Sequence, residues 1–364
     1  MAKPMGTISL APNVFWVGVK HHDRRLFDGL IPLPHGTSYN AYLVVGTDKI
    51  ALIDSVNPGF EGELVEKISQ HVDPSKIDYV IMNHAEPDHA NAIKHIMTLA
   101  KNAKMVAGAK GRDAAIMYFD IDPERIMVVD ESSKIDLGGK TLSFVDAPWL
   151  HWPETIFTYL EEDKILFPCD FFGSHLAVGA FYADEYGNDL SLDMAKLYFA
   201  EIMMPFTKPG QNAIEKVKKL GPKVIAPSHG VLWRDPKIIL DEYTKWTTEK
   251  FEKKVMIVYV SMWGSSLKMA KALQETLVKK GVSVNIFDLT VTEIGHVAKE
   301  LVDTPVVVIA APTVLGGVHP VAAYATLLVK TLRAPTKYGV VLTSFGWSGG
   351  AVKQIQSLLE GSKL

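Results

Sequence analysis

The tightest constraint on this chain is a run of seven residues, Asn83-His84-Ala85-Glu86-Pro87-Asp88-His89, in which four metal-competent side chains fall within six positions. The run follows the apolar stretch Tyr79-Val80-Ile81-Met82 and precedes Ala90-Asn91-Ala92-Ile93, which opens a helical pattern. It therefore reads as a loop that leaves the C-terminal end of a strand for the start of a helix, where α/β folds keep their chemistry. Alternate residues of an extended loop point the same way, so His84, Glu86 and Asp88 can converge on one side.

Three further candidates take the same kind of position. His151 follows Leu142-Ser143-Phe144-Val145, Asp170 follows Ile165-Leu166-Phe167, and His229 follows Val224-Ile225-Ala226 in the turn Pro227-Ser228-His229-Gly230. If these strands are neighbours in one sheet, their ends deliver four imidazoles and three carboxylates to one edge, enough for two metals. Three carboxylates contribute about −3 against about +4 for two divalent ions, so a bridging hydroxide leaves such a site near neutrality. A lone His after a strand is more often a satisfied polar residue, and His21, His22, His35, His95, His175, His296 and His319 are read that way.

The 364 residues correspond to two or three domains. Lys plus Arg number 38 against 41 Asp plus Glu, which lacks the basic surplus of a nucleic-acid binder. The single cysteine, Cys169, excludes an intrachain disulfide and a four-Cys metal knuckle, and points to a reducing, cytoplasmic setting. No apolar run reaches the ~20 residues of a membrane span. Met1-Ala2-Lys3-Pro4 is not followed by the apolar stretch of a signal peptide.

A polar, amphipathic stretch from Asp241 to Lys254 marks a seam, dividing a first domain, 1–250, from a second, 251–364. In the first domain, short β runs (Phe15 to Val19, Tyr39 to Val45, Ile50 to Ile53) alternate with helices such as Gly62 to Gln70 and Ala90 to Ala100, an α/β/β/α pattern. The second opens on Val255-Met256-Ile257-Val258-Tyr259-Val260, apolar enough to be buried on both faces. A helix from Leu267 to Lys280 and strands at Val282 to Ile286, Pro305 to Ala310 and Tyr338 to Thr343 follow, predicting an open parallel sheet with helices on both faces.

Three loops leave the ends of those strands. Ser261-Met262-Trp263-Gly264-Ser265-Ser266 has neither the Gly-Lys-Ser/Thr of a P-loop nor the Gly-x-Gly-x-x-Gly of a dinucleotide fold. A hydroxyl-rich loop at a helix N-terminus suits a terminal monophosphate, held by amide N–H groups and the helix dipole; the alternative is an N-capping turn. Ala311-Pro312-Thr313-Val314-Leu315-Gly316-Gly317 and Ser344-Phe345-Gly346-Trp347-Ser348-Gly349-Gly350 sit at matching ends. Their Gly-rich backbone can approach a flat ring on which Trp347 can stack.

His-x-Glu-x-Asp-His, with His151, Asp170 and His229 downstream and these three loops behind, resembles the flavodiiron proteins. The resemblance implies a metallo-β-lactamase-like αββα sandwich followed by a flavodoxin-like doubly wound parallel sheet. Zinc hydrolases of the first fold carry His-x-His-x-Asp-His, and Glu86 stands in place of the second His. The harder, carboxylate-richer set favours iron. Carried over by resemblance, His84, Glu86 and His151 bind one iron, Asp88, His89 and His229 the other, and Asp170 bridges them as part of the catalytic diiron centre; family members differ over whether the residue at His89 reaches the metal. FMN would lie on Ser261 to Ser266, Pro312 to Gly317 and Ser344 to Gly349.

The implied activity is reduction of O₂ to water, of NO to N₂O, or both. Reducing O₂ to two waters takes four electrons, two from a diferrous pair and two from reduced flavin; reducing two NO takes two. The family arrangement is a head-to-tail homodimer, or a dimer of dimers, with the FMN of one subunit facing the irons of the other. No Cys-x-x-Cys fuses a rubredoxin module here, so an external rubredoxin is the expected donor, the deazaflavin F420 the alternative; the Phe345-Gly346-Trp347 loop looks more like that of rubredoxin users. Asp28 stands where many members have His, and Tyr198-Phe199 where the family often has two Tyr. After a helix from Ala351 to Leu359 the sequence stops short of the fifth strand and last helix of a flavodoxin-like sheet; a shortened sequence is expected, and the missing strand, an edge in the order 2-1-3-4-5, spares the FMN loops. Two competing readings are a dizinc hydrolase fused to a flavodoxin-like module and a non-enzymatic electron carrier.

Overall fold

The computed structural model describes residues 6–362 and residue 364. Met1 to Pro4, read above for a targeting signal, lie outside the described residues. The chain separates into two compact units, 1–195 with 208–243 and 196–207 with 244–364. Among the described residues no helix is long and apolar enough to cross a membrane.

In the first unit a seven-stranded sheet runs in the order Ile8–Ala11, Val14–Trp16, Tyr42–Val45, Ile50–Ile53, Tyr79–Ile81, Lys104–Ala107, Ile126–Val128. Its early strands pair antiparallel. From Ile50–Ile53 onward the pairing is parallel, and the crossovers are helices Glu61–Ser69, Pro87–Leu99 and Ala109–Phe119. Strand alternation sorts the apolar residues: Leu52, Val80 and Met105 meet Leu64, Ile68, Ile93 and Ile96 of the helices. Their neighbours Ile53, Ile81 and Val106 meet a second sheet through Ile135, Leu142, Phe144, Ile156 and Phe167. That second sheet has the order Lys134–Asp136, Thr141–Asp146, Ile156–Leu160, Ile165–Phe167, Val224–Ile225. Two sheets face to face, with helices outside, are the expected αββα sandwich.

One expectation needs correcting. The strands that feed the candidate ligands are not neighbours in one sheet. Tyr79–Ile81 belongs to the first sheet, whereas the strands before His151, Asp170 and His229 belong to the second. The ligand loops meet because both sheets end at the same rim of the sandwich. Close approach there depends on Gly230, whose φ is +76° and at which an added Cβ would lie 2.0 Å from Ser174 Oγ.

In the second unit the parallel strands take the order Ser283–Asp288, Lys254–Tyr259, Val306–Val314, Tyr338–Ser344, which is 2-1-3-4. Val255, Ile257, Val308 and Ala310 pack with Ala270, Leu273 and Leu277 of helix Ser265–Lys279. Helices Ile294–Leu301, Pro320–Thr331 and Ala351–Leu359 also pack on this sheet. Val306–Val314 runs four residues past the expected Ala310 and turns through Leu315-Gly316 into a two-residue strand, Gly317–Val318. Both turn residues have positive φ, +49° and +83°, as a two-residue hairpin of the favoured hand requires. Tyr338–Ser344 ends the sheet among the described residues, and a groove of about 710 Å³ runs between it and Ala351–Leu359, away from the candidate loops.

Phe144 is buried between the two sheets of the first unit. Phe144→Ala is expected to cost about 3–5 kcal/mol, read as a lower urea midpoint for that unit. Val340→Ala, at an exposed position, should move the midpoint by less than about 0.5 kcal/mol.

Candidate functional site

Pro87 decides how the seven-residue run is divided. Proline is favoured in the first turn of a helix, and here helix Pro87–Leu99 starts three residues earlier than the apolar pattern indicates. Glu86 is its extended N-cap, while Asp88 and His89 are already helical. His84, Glu86 and Asp88 do converge on one centre, but Asp88 reaches it from the first helical turn and not from an extended loop, and so faces a different donor group. His84 and Glu86 group with His151 and Asp170, and Asp88 and His89 group with His229.

Asp170 spans the two groups. Its Oδ2 lies 3.4 Å from His84 Nε2 and 3.5 Å from His151 Nε2. Its Oδ1 lies 2.9 Å from His89 Nε2 and 3.4 Å from His229 Nε2. Glu86 Oε2 closes the first group at 3.3 Å from His84 and 2.9 Å from His151. Asp88 closes the second, at 3.4 Å from His89 and 3.3 Å from His229. All seven predicted metal residues are thus brought together. Donor atoms each about 2.1 Å from a shared ion lie about 3.0–3.4 Å from one another, which matches these separations. Both oxygens of Asp88 and of Asp170, and both ring nitrogens of His89, are buried and make no hydrogen bond of good geometry. Buried lone pairs in that state cost free energy, and two cations would satisfy them. The donor set fits a pair of metal ions.

The electrostatics agree. Burial would raise the Glu86 and Asp170 carboxyls, but the surrounding imidazoles hold both below the usual carboxylate range. Burial would lower His84 and His89, but the carboxylates hold His84 well above its ordinary value and bring His89 up to about 9. Without a cation, protons held on His84 and His89 offset part of the carboxylate charge. Around the site, His84 Nδ1 lies 2.8 Å from Glu154 Oε1, and His229 Nδ1 donates to the Ser38 carbonyl at 2.6 Å. Asp54 accepts from Asn83 N and Nδ2 at 2.8 and 2.9 Å, bracing the residue before His84, and burial pushes its carboxyl up to about 6. Sequence reading missed Glu154, Ser38 and Asp54; a lone acid or hydroxyl residue carries no pattern. Cys169 also joins His89 and Asp170 in a third, overlapping group of donors.

Two of the residues singled out earlier border this centre. His175, read as ordinary, is buried with its ring 4.9 Å from that of His229, and burial and His229 hold its pKa well below the usual value. Asp28 lies in a turn between Leu26–Phe27 and Ile31–Pro32, and partial burial together with Glu86 and Asp88 raises its carboxyl. Phe199 opens a π-helical turn, Phe199–Met203, in the second unit, with its ring 5.4 Å from Trp246.

In the second unit a cavity of about 390 Å³ is lined by Ser261, Met262, Trp263, Ser265, Ser266, Pro312, Thr313, Ser344, Phe345, Gly346 and Trp347. Gly264, Val314, Leu315, Gly316, Gly317, Ser348 and Gly349 do not line it; Leu315 and Gly316 form the hairpin tip instead. Of the lining residues, Ser266 and Thr313 have buried hydroxyls without a partner. The cavity sits at the N-terminus of helix Ser265–Lys279, and the indoles of Trp263 and Trp347 are 91% and 80% exposed beside it. Unsatisfied hydroxyls, a helix N-terminus and free aromatic faces fit a ligand with a phosphate and a flat ring.

The fold and the two sites define a two-domain protein that joins a metal-binding αββα sandwich to a flavodoxin. Residues 37–230 match the family described as ODP family beta lactamase, and 257–363 match Flavodoxin. The chain is 36% identical to the nitric oxide reductase of Moorella thermoacetica, over 98% of this chain and 90% of that one. It is 32% identical to the coenzyme F420H(2) oxidase of Methanothermobacter marburgensis, over 96% and 89%. The flavodiiron protein of Giardia intestinalis superposes with a TM-score of 0.94 at 32% identity, covering 100% of this chain and 90% of that one. Rubredoxin oxygen:oxidoreductase of Desulfovibrio gigas gives 0.93 at 30%, covering 98% and 90%. The chain belongs to the flavodiiron protein family, oxidoreductases with a non-haem diiron site and FMN. The dizinc hydrolase reading is not favoured.

His89 gives a pH prediction. Its folded pKa, about 9, exceeds the ordinary value near 6.5, so the stability it contributes is complete below about pH 6.5 and is lost as pH rises through about 9. The metal-free protein should therefore lose melting temperature between pH 6.5 and 9, whereas the metal-loaded protein, in which cations replace the protons, should not. Thermal melts at both pH values, with and without chelator, check this.

Proposed function

We propose that this chain reduces O₂ to water, NO to N₂O, or both, through irons held by His84, Glu86 and His151 on one side and by Asp88, His89 and His229 on the other, with Asp170 spanning them. The observation that carries the reading is Asp170, whose two buried oxygens face two separate donor sets. The iron pair and the reduced flavin, when bound, supply the electrons. The chain's own residues bind and orient. Glu86, the N-cap, and Asp88, in the first helical turn, belong to different donor groups and would hold different cations. The Asp28 carboxyl is held above its ordinary value, first by partial burial and then by the charges of Glu86 and Asp88.

FMN is assigned to the cavity of Ser261 to Ser266, Pro312, Thr313 and Ser344 to Trp347, with Val314, Leu315, Gly316, Gly317, Ser348 and Gly349 in the surrounding loops. The functional domains are placed at 1–250 and 251–364. An external rubredoxin is the proposed donor, in keeping with the name of one relative, and F420H₂ is the alternative, in keeping with another. A head-to-tail dimer, which brings one subunit's flavin to the other's irons, and a cytoplasmic location complete the proposal.

Anaerobic iron analysis and a flavin spectrum test the cofactors, with about two irons and one FMN per chain expected. Stopped-flow reduction by rubredoxin or F420H₂, followed by O₂ or NO, tests donor and substrate. Glu86→Ala should lower turnover more than about 100-fold, beyond the 10–100-fold typical of outer-shell changes, while flavin reduction by the donor stays normal. A variant with full turnover would support the electron-carrier reading instead. Ser266→Ala removes a buried hydroxyl without a partner, so FMN binding should weaken about 10–100-fold while the flavin-free protein melts no lower. Fluorescence titration and melting of the flavin-free protein check it.

A further inference from the structure

The two metal positions have the same inner donors. Each has two imidazoles and one carboxylate of its own, and Asp170 is shared. They differ one layer out. Glu154 Oε1 lies 2.8 Å from His84 Nδ1 and accepts from the Ala85 backbone N–H at 3.0 Å. That contact fixes Nδ1 as a proton donor and leaves Nε2, which faces Glu86 and Asp170, as the nitrogen that a cation would take. In the other position His229 Nδ1 donates to a neutral acceptor, the Ser38 carbonyl, at 2.6 Å. His89 Nδ1 is buried there and makes no hydrogen bond.

We propose that Glu154 is a positioning residue that makes the two metal positions unequal, giving the one built by His84, Glu86 and His151 the firmer hold on a divalent cation. The inference rests on the metal assignment made above. A carboxylate acceptor pulls on the Nδ1–H proton and raises electron density at Nε2, so His84 is the stronger donor; a carbonyl does this less. Glu154 is held for the task. It lies three residues after the ligand His151, with its side chain 5% exposed, and Trp152 from the same segment sets its ring edge-on to His84 at 5.1 Å. Behind Glu154 is a cavity of about 570 Å³, lined also by Lys110, Asp113, Met117 and Tyr118. Glu154 thus stands between His84 and a surface recess.

The test uses the full chain with FMN bound, freed of metal and given one equivalent of Co(II) without oxygen. Anomalous diffraction locates the cobalt, and chelator competition measures both affinities. In the wild type the first cobalt should settle among His84, Glu86 and His151. Glu154→Gln keeps the shape and loses the charge. In that variant the affinity of this position should fall 10–100-fold, the other should change less than twofold, and the first cobalt should move to Asp88, His89 and His229. Asp113→Asn, in the same recess, should behave as the wild type. A first cobalt that settles beside Asp88 or divides evenly in the wild type overturns the proposal, as does an equal loss at both positions in a folded Glu154→Gln protein. If that variant does not fold, the wild-type placement decides alone. A wild type that takes up no cobalt at either position overturns the metal assignment itself.

Discussion

Three carboxylates packed into one buried pocket repel each other unless something positive joins them. Glu86, Asp88 and Asp170 meet at a rim from which water is largely excluded, and Asp170 is 1% exposed. The fold places them there by ending strands of both sheets at one edge, and the energy of that arrangement is recovered only through positive charge. His84 and His89, whose pKa values the carboxylates raise, supply part of it as protons in the metal-free state, and cations would supply it in the loaded state. The brace of Asp54 on Asn83 and the grip of Ser38 on His229 serve the same end, since a donor that swings away leaves a buried charge exposed to its neighbours.

The division of labour between the two halves follows from two kinds of strand end. In the first unit the rim collects side chains, because each loop carries an acid or an imidazole inward. In the second the strand ends offer hydroxyls, backbone and open ring faces, because Ser265–Lys279 starts at the cavity and glycines let the loops come close. One site is suited to bare cations, the other to a phosphorylated ring. Overall charge is close to balanced, so local chemistry at these rims and not the field of the whole chain selects what binds.

Much of this could be read from the residues. The ligand spacing named seven residues that do converge, and Val255 to Val260 announced a central parallel strand. What could not be read came from longer range. Sequence periodicity does not tell which sheet a three-residue strand joins, and Tyr79–Ile81 lies across the sandwich from the strands that precede His151, Asp170 and His229. The apolar pattern began at Ala90, whereas Pro87 began the helix, and three residues of winding sent Asp88 and Glu86 to different partners. Glu154 bears no motif because its role depends on His84, far away in the chain. The two-residue turn at Leu315 was hidden because a leucine with positive φ is uncommon.

Cys169 carries a last consequence. It is the sole sulfhydryl of the chain, fully buried beside Asp170, with Ser228 Oγ 3.3 Å from its sulfur and its thiol pushed well up by burial. A thiol that rarely ionises is a poor nucleophile. Among the described residues no cysteine is therefore exposed to be nitrosated or cross-linked, and the sulfur open to oxidation at the surface is that of methionines such as Met117 and Met262.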